Sequence, residues 1–269
     1  MAAALEKLAD GKILANVEDG IGLVTFNQPE KRNAMSVDMW AGLEQVFGAW
    51  EHDDSVRVVV LAGAGDKAFV SGADISEFEK RRANVDAGRE YEHATSGGRA
   101  KLAAFPKPVI ARIRGYCLGG GLAIAMQADL RIATEDSQFG IPAARLGVAY
   151  GFQSVRRLIA LIGPAHASML LFSGSRIGSE EAARIGLVNQ VVANEELEEV
   201  VDVLARNIAE NAPLSVRASK LTIEQALRDP ADRDMHALEQ ASIACFNSED
   251  YREGRTAFLE KRPPKFRGR

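Results

Sequence analysis

Two short glycine-bearing frames hold the residues best placed to do chemistry, Ser71-Gly72-Ala73-Asp74 and Gly119-Gly120-Gly121. Each stands where an apolar, β-type run gives way to a segment of helical character. Small residues there leave main-chain N–H groups open to a ligand, because no side chain stands in front of them. A helix opening at the triple glycine adds unpaired donors and a dipole that favours negative charge. The N–H of Ala73 and one from the triple glycine, brought together in space, would form an oxyanion hole. Such a donor is worth about 10²–10³ in rate. Close packing of a helix on a strand uses glycines in the same way, and the sequence leaves both readings open. Asp74 reads as a cap for the segment after it rather than as a catalytic acid.

Other chemistries lack their motifs. Gly119 and Gly121 are followed at the third glycine position of a dinucleotide fingerprint by Ile124, and the frame is not in the first strand–helix unit. The sequence contains neither a P-loop nor a Gly-x-Ser-x-Gly nucleophile elbow. Cys117 and Cys245 show no metal-ligand spacing and fit a reducing compartment, with Cys117 as core filler. No metal is expected.

The elements that must position the frames follow from hydrophobic period and turn residues. Ile13 to Val17 and Ile21 to Phe26 are β-type runs around Asp19-Gly20, a hairpin pair. Ser36 can cap a helix in which Val37, Trp40, Leu43, Phe47 and Trp50 recur at helical spacing. Val56 to Leu61 reads as a buried strand, and the charged segment after Asp74 to about Asn84 as a helix. Val109 to Ile113 and Leu130 to Ala133 are further strands, with an apolar helix from the triple glycine through Gln127 between them. A helix from near Gln153 ends at Gly163-Pro164. Helices then fit Ala165 to Phe172 and Ser179 to Ile185, and a strand fits Leu187 to Val192. Strands repeatedly followed by helices predict α/β organisation with parallel pairing. From Glu195 the chain reads as helical, broken at Pro213, Pro230 and around Asn247. The expected division is a core at 1–194 and a helical region at 195–269, which packs on itself or on another subunit.

Composition narrows the class. The 269-residue chain is 46% hydrophobic and 26% charged, with a formal net charge of −4. These values suit a globular protein and argue against affinity for nucleic acid built on phosphate neutralisation. The basic stretch Lys261 to Arg269 reads as a solvated terminus in preference to a phosphate site. No uninterrupted apolar run reaches the ~20 residues of a membrane span. The opening Met1 to Lys7 lacks the apolar core of a signal peptide. A cytoplasmic protein is expected.

Further segments complete an ordered set: Asn27-Gln28-Pro29-Glu30-Lys31-Arg32-Asn33-Ala34, Ser71 to Ile75, Lys107-Pro108-Val109-Ile110-Ala111, Gly115 to Gly121 and Ala128-Asp129. Gly174-Ser175-Arg176-Ile177, Ala182 to Val188 and Glu253-Gly254 follow. In this order and spacing the chain resembles the crotonase, or enoyl-CoA hydratase/isomerase, superfamily over nearly its whole length. The resemblance implies an α/β spiral of ββα units with a C-terminal helical trimerisation region, assembled as a homotrimer or a dimer of trimers. It implies a lyase or isomerase acting on an acyl-CoA thioester. CoA is part of the substrate, so no separate cofactor is expected. The thioester oxygen is expected at the N–H groups of Ala73 and Gly120, where enolate charge develops. Lys31, Arg32, Asp74 and Ile75 match segments that lie along the CoA nucleotide. Phe258 and Lys261 match residues that reach a neighbouring subunit's CoA. Lys31, Arg32 and Lys261 read equally well as solvated surface charges.

Hydratases of the superfamily carry glutamates at the substrate-facing positions that match Ala123 and Ala143. Two carboxyl groups flanking a substrate hold one water and exchange its protons, which alanine does not do. The resemblance thus implies a thioester site without ordinary two-glutamate hydration. Tyr150 matches a tyrosine in the superfamily's methylmalonyl-type decarboxylases, some of which carry histidine at the place of Ala73. Loss of carbon dioxide creates an enolate without a base. Tyr150 would orient a carboxylate or lead protons to the enolate, or else pack as an aromatic with a hydrogen-bonded hydroxyl. Glu77, Glu79, Glu90, Glu92 and His93 are candidate replacement acids, with a solvated helix face as the preferred reading. Arg145 is a candidate partner for a substrate carboxylate or a local acid. Three outcomes stand: an enolate-stabilising acyl-CoA enzyme, a decarboxylase of a malonyl-type thioester, and a non-catalytic thioester-binding homologue.

Overall fold

A computed structural model describes residues 5–74 and 85–269. Asp19 and Gly20 turn the chain with φ of 48° and 84°. That turn pairs Ile13–Glu18 (β2) with Ile21–Phe26 (β3), and Glu6–Leu8 (β1) adds to β2 to give an antiparallel meander. Val58–Gly63 (β4) then adds to β3 in parallel. Two kinds of strand alternate from here. Ala68–Val70 (β5), Tyr116–Leu118 (β7) and Gln138–Gly140 (β9) are short and follow directly on β4, Val109–Ile113 (β6) and Leu130–Thr134 (β8). Arg176–Gly178 (β10) and Gln190–Val192 (β11) complete the set. Among the described residues the long sheet has seven strands in the order β1-β2-β3-β4-β6-β8-β11, and the short one has four in the order β10-β9-β7-β5.

Each ββ pair thus feeds both sheets and then yields to a helix, which is the expected spiral. Val37–Glu51 (α1) is capped as the sequence suggested, the Ser36 hydroxyl accepting from the Met39 N–H at 3.3 Å. Val85–Ala103 (α2), Gly120–Gln127 (α3), Ala143–Leu146 (α4) and Phe152–Ser173 (α5) follow in order. Helix α5 covers both expected helices; Gly163, at φ 73° and ψ 166°, makes the break between them. It is long and apolar enough to cross a membrane by length and composition, but Leu158, Ile162, Ala167 and Leu170 bury in the protein core.

That core lies between the two sheets and α1, α3 and α5, and includes Phe26, Phe47, Phe69, Phe105 and Phe139. After Ser179–Arg184 (α6), Leu197–Glu210 (α7) closes the other face of the long sheet. Its Val201, Ala205 and Ala209 pack over Val58, Val60, Ile110 and Ile132. Helices Pro213–Ala226 (α8), Met235–Asn247 (α9) and Glu249–Glu260 (α10) lie beyond. They expose Ile223, Met235, Ile243, Phe246, Phe258 and Leu259. The expected helix leading to Asn84 lies outside the described residues, as do Ile75, Glu77 and Glu79.

Candidate functional site

Ala73 is aimed by its neighbours. The Met35 N–H donates to the Gly72 carbonyl at 2.8 Å and the Asp74 N–H to the Met35 carbonyl at 2.9 Å, a one-residue β-bridge. Both groups flanking Ala73 face Met35, so the N–H of Ala73 faces the opposite way. Arg32 steadies the same turn by accepting from the Ser71 N–H at 3.1 Å. Asn33, fully buried at φ 56°, ties the two segments together. Its amide donates to the carbonyls of Ala64 and Ala68, and its oxygen accepts from the Gln28 N–H. Asn33 was missed as a site residue. Its signal was an asparagine beside a turn, one of the few side chains that tolerate a left-handed backbone.

Gly119 to Gly121 form the opposite wall. Gly119 adopts φ 51° and ψ −113°, a conformation that suits glycine. Its N–H donates to the Gly140 carbonyl at 2.8 Å, and its carbonyl accepts from the Ala123 N–H at 3.0 Å. A side chain on Gly121 would overlap the Val70 carbonyl, so α3 sits hard against the end of β5. A Cβ on Gly120 would instead point at the Ala73 N–H, 3.8 Å from its nitrogen. Gly120 is the first residue of α3, where an N–H has no intrahelical acceptor. Among the described residues neither the Ala73 nor the Gly120 N–H donates a hydrogen bond. Gly121 thus serves packing, while a Cβ on Gly120 would meet only ordinary contacts beside the Ala73 N–H.

Ala123, half-buried, lies one turn along α3 from Gly120, on the same face. Ala143, 9% exposed, opens α4 directly after Pro142, which borders Gly119. Tyr150 closes the group: its hydroxyl donates to the Gly119 carbonyl at 3.1 Å. Burial pushes this phenol well above its usual range and the Cys117 thiol adds to the effect. Ser154 and the Arg99 guanidinium pull weakly the other way. Tyr150 is therefore a neutral hydroxyl at any ordinary pH, a donor and not a base. Cys117 is fully buried and its thiol is likewise pushed up, which fits the reading as core filler.

The remaining predicted residues spread along one route and one outlier. Lys31 pairs with Asp74 at 2.8 Å, placing an ion pair next to Ala73. The Arg32 guanidinium stacks over Tyr116 at 5.4 Å, and Arg176 lies over the same ring at 5.2 Å. Tyr116 and Arg176 were not singled out from sequence, because only the pairing of β7 with β9 and of β9 with β10 brings them together. Glu92 on α2 is held by Arg99 at 2.7 Å. Arg145 turns to the Ser173 carbonyl and the Ser175 hydroxyl. Phe258 and Lys261 stand exposed at the end of α10.

A two-sheet ββα spiral with such a gap between two strand ends defines a class of fold shared with known acyl-CoA enzymes. The sequence profile of the enoyl-CoA hydratase/isomerase family matches residues 16–269, and the chain belongs to that family. It is an enzyme of the acyl-CoA-acting kind. A short-chain-enoyl-CoA hydratase of Clostridium acetobutylicum is 38% identical over 93% of this chain and 95% of its own length. A crotonyl-CoA hydratase of Syntrophomonas wolfei is 37% identical over 96% and 99%. Among solved structures, an enoyl-CoA hydratase/carnithine racemase from Magnetospirillum magneticum superposes with a TM-score of 0.91 at 36% identity, covering 96% of each chain.

Proposed function

We propose that the protein binds an acyl-CoA thioester with its carbonyl oxygen between the N–H groups of Ala73 and Gly120 and stabilises the thioester enolate there. The observation that carries this reading is the Met35 bridge, which commits Gly72 and Asp74 and turns Ala73 N–H toward the gap that Gly120 keeps open. Preorganised donors at the site of developing charge lower a barrier without reorganising during the reaction. Lys31, Arg32, Asp74 and Ile75 would border the CoA nucleotide. Phe258 and Lys261 would meet the CoA of a neighbouring subunit, in a homotrimer or dimer of trimers closed over the exposed apolar faces of α8, α9 and α10.

The names of the relatives point to hydration of a short-chain enoyl thioester. Ala123 and Ala143 stand against the two-carboxylate route, because neither methyl group takes or gives a proton. Decarboxylation of a malonyl-type thioester is the second reading, supported by the place of the Tyr150 hydroxyl one residue from Gly120; its proton, donated to the Gly119 carbonyl, would have to turn to the substrate. Departure of carbon dioxide leaves its electron pair on the α-carbon as the enolate, and a proton relayed past Tyr150 completes the product. Calorimetry with a CoA thioester tests the shared premise, and absence of binding by folded protein overturns both readings. Incubation with crotonyl-CoA and with methylmalonyl-CoA, followed by mass spectrometry, separates them. A hydrated product supports hydration by another acid. Carbon dioxide loss supports the Tyr150 reading, and binding with no product supports a non-catalytic homologue.

A further inference from the structure

The segment 262–269 has no regular secondary structure, yet it is fastened along the whole length of α10. It starts where the helix ends. Lys261 takes a left-handed φ of 55°, and the Arg262 N–H donates back to the Ala257 carbonyl at 3.0 Å. From there the segment runs back beside the helix. Glu253 grips its first part through two oxygens, accepting from Arg262 Nη1 at 2.7 Å and Nη2 at 2.9 Å, and from the Lys265 N–H at 2.8 Å. Asp250, 2% exposed, takes the next part, one oxygen accepting from the Arg267 N–H and the other from the Gly268 N–H, both at 2.7 Å. The Glu249 N–H then donates to the Arg269 carbonyl at 2.7 Å. Arg57 joins this assembly to the body of the protein, donating to the Phe266 and Ala209 carbonyls at 2.9 and 2.8 Å.

At the far end of this fastened helix stand Phe258 and Leu259, 83% and 78% exposed, and Lys261. An exposed helix end ordinarily frays, and a ligand must then supply the ordering free energy of each side chain it immobilises. Here the turn is ordered in advance by charge-assisted bonds to main-chain N–H groups.

We propose that the 262–269 segment is a strap that presets the Phe258–Lys261 turn for the CoA nucleotide, with Glu253 and Asp250 as its positioning residues. The proposal rests on the reading that Phe258 and Lys261 reach a neighbouring subunit's acyl-CoA. The probes are butyryl-CoA, which has no double bond to hydrate and no carboxylate to lose, and butyryl-pantetheine, which lacks the nucleotide. Calorimetry on full-length Glu253→Gln should show about three- to tenfold weaker binding of butyryl-CoA and unchanged binding of butyryl-pantetheine. The loss should vanish in a Phe258→Ala, Lys261→Ala background, where nothing remains to position. Arg262→Lys keeps the charge and breaks the two-pronged grip. It is read in the same way should Glu253→Gln prove unfolded by circular dichroism. Wild-type affinity in a folded variant overturns the strap, as does an equal loss for both probes or a loss that persists in the double-alanine background. A wild-type chain that binds no butyryl-CoA overturns the thioester reading first and the strap with it.

Discussion

Gly120→Ala and Gly121→Ala place the same methyl group on neighbouring residues of one helix, and the structure separates their consequences. On Gly121 the new carbon overlaps the Val70 carbonyl oxygen and lies 2.8 Å from the Val70 Cβ, so the end of β5 must move away from α3. Overpacking of this kind costs about 1–3 kcal/mol. For a chain of this size each kcal/mol is about 2–4 °C in Tm, so a mid-range loss lowers Tm by about 4–8 °C. On Gly120 the nearest atoms are Ala73 N and Gly72 C at 3.8 Å, which is ordinary contact. Alanine is also the better helix former by up to about 1 kcal/mol, so Tm should hold or rise. Yet that methyl group stands in front of the Ala73 N–H. If the gap receives the thioester oxygen, Gly120→Ala should lower turnover about 10²–10³-fold, the worth of one lost donor. Thermal unfolding by circular dichroism and turnover of the thioester converted by wild type measure the two effects. A Gly120→Ala protein with full turnover refutes the oxyanion reasoning. A Gly121→Ala protein with wild-type Tm refutes the packing reasoning.

Tyr150→Phe removes one of two donors to the Gly119 carbonyl, so stability should fall by only about 1 kcal/mol. If the decarboxylase reading holds, carbon dioxide release from methylmalonyl-CoA should drop while thioester binding persists; unchanged release rejects the role of Tyr150. Ala123→Glu with Ala143→Glu should raise hydration of crotonyl-CoA, measured by loss of the conjugated thioester absorbance. No gain would show that two acids alone do not separate this pocket from a hydratase. Lys107, fully buried, donates to the Trp50 and Asp53 carbonyls at 2.5 and 2.6 Å, and burial pushes its pKa from 10.5 down to about 8. Above about pH 8 the unfolded chain keeps a proton that the folded chain sheds, so this group makes stability rise with pH, by about 2 kcal/mol by pH ~9.5. Urea unfolding of wild type against Lys107→Met checks it, and a stability difference that stays flat across that window rejects it.

Most elements of the long sheet were legible because their cause is local. Alternating and continuous apolar runs, Asp19-Gly20 and the Ser36 cap act over a few residues, and the strands at 13–18, 21–26 and 109–113 follow those signals closely. The short strands β9 and β10, by contrast, were not predicted. Three residues carry too little pattern, and such strands exist only because a neighbour supplies their hydrogen bonds. Asp74 shows a related gap between local and distant causes. It pairs with Lys31, 43 positions away, while the segment it was expected to cap lies outside the described residues.

By itself the sequence determined the chemical vocabulary of the candidate site: two runs of small residues at strand ends, alanines at positions 123 and 143, and a tyrosine at 150. Residue types set which groups can donate, titrate or pack, and no fold changes that. Tertiary structure decided direction. The Met35 bridge turns Ala73 outward, the Val70 carbonyl pins Gly121 while Gly120 stays open, and Gly119 takes up the Tyr150 hydroxyl. Asp250 and Glu253 bind a segment that composition alone reads as a solvated basic tail. The first three depend on contacts between segments far apart in the chain, and the last on a reversal of the chain after Lys261 that residue types alone do not mark.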